Sequence, residues 1–452
     1  MTLVRALHPG VRKTFRELRW LLLTAAVIAI ALFLQLRVIS TVNPVDFLVY
    51  RYAAGEALSG VNLYTSNVFG PMMPEGGLPY TYTPFGLLAL WPSTLFSSGS
   101  SFLLWSALSL VTVIWCIWRI LPQHRRSLWI LPVIATGAGF TSVMAHHLAF
   151  GQINVFLMAL VILDLTRTHA ADRKRFLPRG ALVGVAAAIK LTPGLFILFF
   201  LVTRQWRLFW ASAISGALCT LGAGLIFPQM TWGFFSETLW SLGSRVSLTG
   251  DLGTSGNNSI TGLLTAVGTN PEMLISMVVV LSAVGLLALA ARTQARALSI
   301  QAWLIIGLSA PLLSPVSWIH HWVYLLPALC LVLASGRVTR ARIALLSLCL
   351  LLLVVGPQGG EWLLENTAAW LWPIAWIFRQ SLMLASVILI FCLASHQPAG
   401  PAESAHQLPA RTEPRPEMHS VLPGAQPVQD FIPDRFTDSA AHQPVVSDSR
   451  CP

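Results

Sequence analysis

Asp46 stands in the stretch Asn43 to Tyr52, shortly after the first long apolar run, Trp20 to Leu36. Acids are scarce in this part of the chain, and a carboxylate beside a membrane helix is costly unless it has a partner or a task. Lys190 follows the apolar Ala186-Ala187-Ala188-Ile189 and precedes Leu191-Thr192-Pro193. Two histidine pairs, His146-His147 and His320-His321, flank further apolar runs. A carboxylate can take a proton, and ammonium, guanidinium and imidazolium groups can hold a departing anion. Plainer readings stand beside these. Asp46 could cap the helix starting at Phe47, Lys190 could snorkel, and Tyr80, Tyr82 and the many tryptophans could form an interfacial belt. Adjacent histidines point in different directions on a helix, so neither pair is expected to hold a metal.

The elements that must position these groups are membrane helices. Of 452 residues, 55% are hydrophobic and only 10% charged, with mean hydropathy +0.68. That is too little charge for a soluble chain of this length, so the class is a polytopic membrane protein, all-α, with about twelve spans. The net charge of +11 raises nucleic acid as a partner, but the bases lie in short clusters between apolar runs, which suits cytosolic loops and excludes that partner. The six cysteines form no CxxC pair and five sit in apolar runs, so neither disulfides nor zinc are expected.

Walking the runs with the positive-inside rule puts both termini in the cytosol. The basic segment 1–19 precedes a retained helix over Trp20 to Ile39. A long outer segment then runs from Ser40 to about Ser100, with helical spacing from Asp46 to Leu58 and an interfacial or re-entrant piece from Pro84 to Phe96. Further helices are expected over Phe102–Leu121, Leu128–Ala145, Asn154–Leu165, Gly180–Ile189, Gly194–Thr203, Phe209–Phe227, Met273–Ala291, Ala302–Val316 and Val323–Ala334, with two more completing the 20–395 domain. The pieces ending at Lys190 and starting at Gly194 resemble a hairpin that does not cross the bilayer. Residues 396–452 are Pro-rich with few aromatics and are expected to be a disordered cytosolic tail.

On this map Asp46, His146, His147, Gln152, Asn154, Lys190, Asn257, Asn258, His320 and His321 all fall at outer ends of helices, many beside Gly or Pro. Broken helices with polar residues at one depth mark a membrane cavity.

Five segments in order, Val45-Asp46-Phe47-Leu48-Val49-Tyr50, Tyr80-Thr81-Tyr82-Thr83-Pro84, Gly151-Gln152-Ile153-Asn154, Ala188-Ile189-Lys190-Leu191-Thr192-Pro193 and Ser314 to Trp322, resemble glycosyltransferase family 87. These are polyprenyl-phosphate-mannose-dependent α-1,2-mannosyltransferases of the GT-C fold. The likeness covers roughly residues 20–395. It implies a polyprenyl-phosphate mannose donor, a phosphatidylinositol mannoside or lipoglycan acceptor, membrane lipids as surroundings, an active site outside the cytoplasm, and Asp46 as the essential acid.

Moving a sugar from a lipid phosphate needs a base for the acceptor hydroxyl and cations for the leaving phosphate. Asp46 suits the first task, with His321 as the rival base. Lys190, Arg51, Arg245, His320 and His147 suit the second. Tyr82, His146, Gln152, Asn154, Asn257, Asn258 and Trp318 are expected to bind substrate. One-step displacement inverts the anomeric carbon. Neither a DxD motif nor a Gly-rich nucleotide loop is present, which argues against a cytosolic enzyme using a nucleotide sugar and its metal. No metal ligand is assigned, and dependence on a divalent cation stays open. A transporter or flippase of a lipid-linked sugar is the alternative from another class. It shares the broken helices and basic inner face, but no repeat relates the two halves. A ligase for a whole lipid-linked glycan would need the same cations.

Overall fold

A computed structural model describes residues 9–39, 43–167, 177–246, 252–269, 271–335 and 339–396. Apart from His396, the tail expected over 396–452 lies outside the described residues, as do residues 1–8 of the basic N-terminus and Asp251.

Helices dominate. Among the described residues, five are long and apolar enough to cross a membrane. These are α1 (Pro9–Ile39), α4 (Ser98–Ile120), α10 (Trp206–Ile226), α14 (Glu272–Ala295) and α17 (Arg340–Asn366). Two bent pairs raise the number to seven if each is one span: α5 (Ile130–Gly139) with α6 (Ser142–Phe150) at 76°, and residues 369–379, which contain α18 (Trp372–Arg379), with α19 (Ser381–Ala394) at 56°. Three shorter apolar helices are α7 (Asn154–Leu165), α15 (Ser299–Leu313) and α16 (Leu325–Ala334), and the short α11 (Pro228–Ser236), α12 (Leu242–Val246) and α13 (Ile260–Ala266) connect α10 to α14. Among the described residues, the candidate full-length spans are thus fewer, and more of the apolar helices are short or bent, than the runs of apolar residues suggest. The segment expected as one helix from Leu128 to Ala145 is divided near Phe140, where Thr141 starts α6 as an N-cap accepting from the Met144 N–H.

The first outer segment contains α2 (Val45–Ala57), α3 (Pro84–Leu90) and a 3₁₀ turn at Trp91–Thr94. It also contains a small departure from all-α structure. Asn67–Val68 pair antiparallel with Leu78–Pro79, pinching the connection between α2 and α3. Thr83 caps α3, and Pro84 occupies the first turn, where its missing N–H costs nothing.

The hairpin α8 (Ala181–Ile189) and α9 (Gly194–Val202) is shorter than a span. Gly184 packs on α10 so closely that a Cβ would lie 2.0 Å from the Ser212 carbonyl oxygen, so helix and hairpin approach backbone to backbone. Arg119 donates to the Thr166 carbonyl and Arg296 to that of Ala394. These bonds tie α4 to the end of α7, and α14 to the end of α19, through carbonyls that helix termini leave unpaired. α17 is interrupted at Gly356, whose φ of +66° favours glycine, and a Cβ there would meet Ser142 of α6 at 2.6 Å.

Candidate active site

α2 places Asp46 in its first turn. Pro44 is the cap residue and no side chain caps the helix, so Asp46 is free of that duty. One turn later Tyr50 shares its face. α6 ends at Gly151, which adopts φ +68° and returns its N–H to Leu148. A Cβ on Gly151 would stand 2.5 Å from Phe47 Cβ. Glycine is therefore required twice over, for the left-handed turn and for contact with α2. The result is that Gln152 reaches Asp46, with Nε2 donating to Oδ2 at 2.5 Å. Asn154 opens α7 and donates to Gln152 Oε1 at 3.1 Å and to the His320 carbonyl at 3.1 Å.

Lys190 emerges where α8 stops, in extended backbone conformation. Thr83 fixes this end, because its hydroxyl donates to the Ala188 carbonyl and accepts from the Gly86 N–H. The first outer segment and the lysine are thereby joined. Lys190 Nζ lies 2.9 Å from Asn154 Oδ1, 3.2 Å from His321 Nε2 and 3.4 Å from the Tyr82 hydroxyl. Those three acceptors match the three protons of an ammonium group. An ammonium only donates, so His321 accepts at Nε2 and carries its proton on Nδ1.

His320 and His321 lie on a 3₁₀ turn, Ile319–His321, after the break that follows α15. Asn257 and Asn258 hold this loop from behind. The Asn257 side chain accepts from Ser317 N–H at 2.8 Å and donates to the Pro315 carbonyl at 3.1 Å, while Asn258 N–H donates to the Ser317 carbonyl.

Asp46, Tyr50, Tyr82, His146, Gln152, Lys190, Trp318, His320 and His321 all line one cavity of about 1060 Å³. Its apolar lining includes Leu195 and Leu198 of α9, Leu313, Leu239 and Trp240. Its polar lining includes Ser255, His146 and Gln358, the last brought to the wall just after the break in α17. His146 Nδ1 bonds the Ser142 carbonyl at 2.8 Å, so Nδ1 donates and Nε2 is left as an acceptor. Burial pushes the Asp46 carboxyl up to about 6, against the Gln152 hydrogen bond and the Lys190 charge, which both pull it down. Burial lowers Lys190 to about 7, partly offset by Asp46. Burial and the Lys190 charge hold His321 well below the usual imidazole range.

Several residues expected at the site stand elsewhere. The Arg51 guanidinium donates to the Ser93 carbonyl. Arg245 is spent on three carbonyls, those of Tyr64 at 2.6 Å, Leu63 at 2.9 Å and Tyr80 at 3.3 Å. Loop carbonyls without ladder partners need donors, and these arginines supply them. His147 is fully buried behind the wall, with Nε2 3.3 Å from the Ser109 hydroxyl. Asn257 and Asn258 support the loop rather than face the cavity, and Asn154 acts through the residues it joins. Tyr50 was not among the expected residues, although its position four after Asp46 on a helical pattern puts it on the same face. Among the described residues, no group of three or more His, Cys, Asp or Glu side chains is placed to hold a metal ion.

A family model described as glycosyltransferase family 87 matches residues 80–315. The match includes Tyr82, Gln152, Asn154 and Lys190 and begins after Asp46. A polyprenol-phosphate-mannose-dependent alpha-(1-2)-phosphatidylinositol pentamannoside mannosyltransferase of Mycolicibacterium smegmatis is 30% identical over 356 residues, covering 74% of this chain and 79% of that protein. A polyprenol-phosphate-mannose-dependent alpha-(1-2)-phosphatidylinositol mannoside mannosyltransferase of Mycobacterium tuberculosis is 28% identical over 326 residues, 67% of this chain and 74% of that protein. A protein of the latter description from Mycolicibacterium smegmatis is 29% identical over 315 residues, 63% of this chain and 68% of its own length.

Proposed function

The chain belongs to glycosyltransferase family 87, and from that membership we propose that it moves a mannosyl unit from polyprenol-phosphate mannose to a phosphatidylinositol mannoside or a related lipoglycan. The observation that carries the reading is the meeting of one carboxylate and one ammonium, from segments far apart in sequence, at a single cavity. Its apolar lining residues suit a polyprenyl chain and its polar ones a sugar acceptor.

In the proposed step the acceptor hydroxyl oxygen bonds to the anomeric carbon of the donor as the bond from that carbon to the phosphate oxygen breaks. Asp46 takes the hydroxyl proton. The electron pair leaves with polyprenyl phosphate, whose charge Lys190 holds by exchanging one of its present acceptors for a phosphate oxygen. Displacement from the opposite face inverts the centre, turning a β-linked donor into an α-linked product. Asp46 is preferred to His321 as the base because His321 Nε2 already accepts from Lys190. The topology read from the sequence supports an active site outside the cytoplasm: the positive-inside rule puts the basic clusters in cytosolic loops, and the same map puts Asp46, Lys190 and His321, which line the cavity, at the outer ends of helices. The same reading gives a polytopic 20–395 catalytic domain of about twelve membrane-embedded segments, full and partial.

The test is transfer by purified protein in detergent or vesicles, with labelled polyprenyl-phosphate mannose and a phosphatidylinositol mannoside. Label in the glycolipid, lost with Asp46→Asn, supports the proposal. Label that changes leaflet without transfer sinks it in favour of a flippase.

A further inference from the structure

Resting on that reading, we propose that Gln152 and Asn154 are positioning residues that keep the Asp46 carboxylate and the Lys190 ammonium apart as two separate charges, with Tyr50 and Tyr82 fixing the sense of the bonds between them.

The six side chains form a closed ring with one appendage. Lys190 donates to Asn154 Oδ1 at 2.9 Å, and Asn154 donates to Gln152 Oε1 at 3.1 Å. On the other side, the Tyr50 hydroxyl is 3.0 Å from the same Oε1 and 2.6 Å from the Tyr82 hydroxyl, which is 3.4 Å from Lys190. A carbonyl oxygen only accepts, so Tyr50 donates to Gln152. Tyr50 must then accept from Tyr82, and the Tyr82 oxygen is left to accept from Lys190. Every bond on both arms points away from the lysine and toward the Gln152 carbonyl. The Gln152 amide N–H then points on to Asp46.

Two consequences follow for the charged groups. Direct contact between carboxylate and ammonium would let one proton cross and leave a neutral acid beside a neutral amine, neither of them fit for its part. Amide N–H groups do not relay protons near neutral pH, so the Gln152–Asn154 link passes polarity but not a proton. The second consequence concerns the carboxylate itself. Gln152 occupies Oδ2, while Oδ1 has no hydrogen bond among the described residues. The basic oxygen is thereby assigned by geometry. Gln152 and Asn154 are 3% and 8% exposed, and both side chains use their oxygen and nitrogen within this network, as buried amides must. The titratable groups that share the cavity with Asp46 are Tyr50 on its own helix, Tyr82 before α3, His146 on α6, Lys190 after α8, and His320 and His321 on the 3₁₀ turn.

The test is the pH profile of kcat/KM for purified Gln152→Met and Tyr50→Phe with lipid-linked mannose and a phosphatidylinositol mannoside. Gln152→Met removes the hydrogen bond that favours the carboxylate form. Its acid limb should move to higher pH, with kcat about 10²-fold lower and donor KM within threefold of wild type. Tyr50→Phe leaves the Gln152–Asp46 bond in place and should move the limb in the same direction by less. It also serves if Gln152→Met does not fold. An acid limb unchanged in a folded variant of either kind overturns the proposal. That result beside an inactive Asp46→Asn refutes the positioning role alone, whereas an active Asp46→Asn refutes the function on which it rests.

Discussion

Asp46 and Lys190 are joined through two amides rather than by an ion pair: Gln152 donates to the carboxylate, and Asn154 bridges Gln152 to the ammonium. On the proposed reading, this arrangement keeps the two groups as separate charges and governs how activity should respond to substitution and to pH.

Asp46→Asn keeps the side-chain shape but cannot accept a proton. Transfer should fall by 10²-fold or more, on the order of what a general base contributes, while the variant still purifies as a monodisperse membrane protein. Turnover within a few-fold of wild type, measured with saturating donor and acceptor, would remove Asp46 from the base role.

Lys190→Ala removes the cation proposed to meet the departing phosphate. A loss of about 10²–10³-fold in kcat/KM for the donor is expected, with acceptor KM little changed. Initial-rate kinetics varying each substrate in turn makes the distinction. An unchanged donor kcat/KM would leave Lys190 as a residue that merely reaches toward the interface.

The pH dependence should be bell-shaped and narrow. The base must be unprotonated, so kcat/KM should rise as pH passes through about 6, where burial has brought the Asp46 carboxyl. The cation must be protonated, so the rate should fall as pH rises past about 7, where burial has brought Lys190. A profile flat from pH 5 to 9 would contradict both assignments.

Arg245→Met tests the displacement of that residue from phosphate binding to scaffolding. Removing donors from the Leu63, Tyr64 and Tyr80 carbonyls should lower thermal stability, with cost on the order of 1–3 kcal/mol per carbonyl left buried and unpaired. Donor KM in the folded fraction should stay within twofold. A selective rise in donor KM at unchanged stability would restore the phosphate role.

Gly151→Ala should be poorly tolerated. The left-handed turn alone costs roughly 1–2 kcal/mol for a residue with a Cβ, and the new methyl would meet Phe47 and Phe102 at 2.5 and 2.8 Å. Lower thermal stability together with lower kcat is expected, because α2 cannot retreat from α6 without drawing Asp46 away from Gln152. A variant as stable and active as wild type would show that the contact between α2 and α6 is not needed.

Much of this architecture can be read along the chain because each group sits beside its own structural signal. The extended turn at Lys190 precedes Pro193, the left-handed turn before Gln152 is a glycine, and the break before His320 follows Ser314-Pro315. These local cues put Asp46, Gln152, Lys190 and His321 at one depth. The same reasoning assigned Arg51 and Arg245 to the phosphate, since a lone base in an outer segment looks free until the carbonyls around it are known. Their partners lie 42 and at least 165 residues away in sequence, beyond any local pattern. The spans were harder still. A run of apolar residues is equally compatible with one straight helix and with two that bend by 76° at Phe140 and Thr141, because hydropathy does not register direction.

With Asp46 as the proposed base, the one-way polarity of the ring also decides how a catalytic cycle can close. Gln152 presents only an N–H to Asp46, so a proton gathered by the carboxylate has no exit through the wall behind it. It must depart on the open side, into water or onto the outgoing phosphate, once product has begun to clear. Resetting the enzyme is in that sense tied to emptying the chamber, and a slow-leaving glycolipid would stall the base as well as block the door.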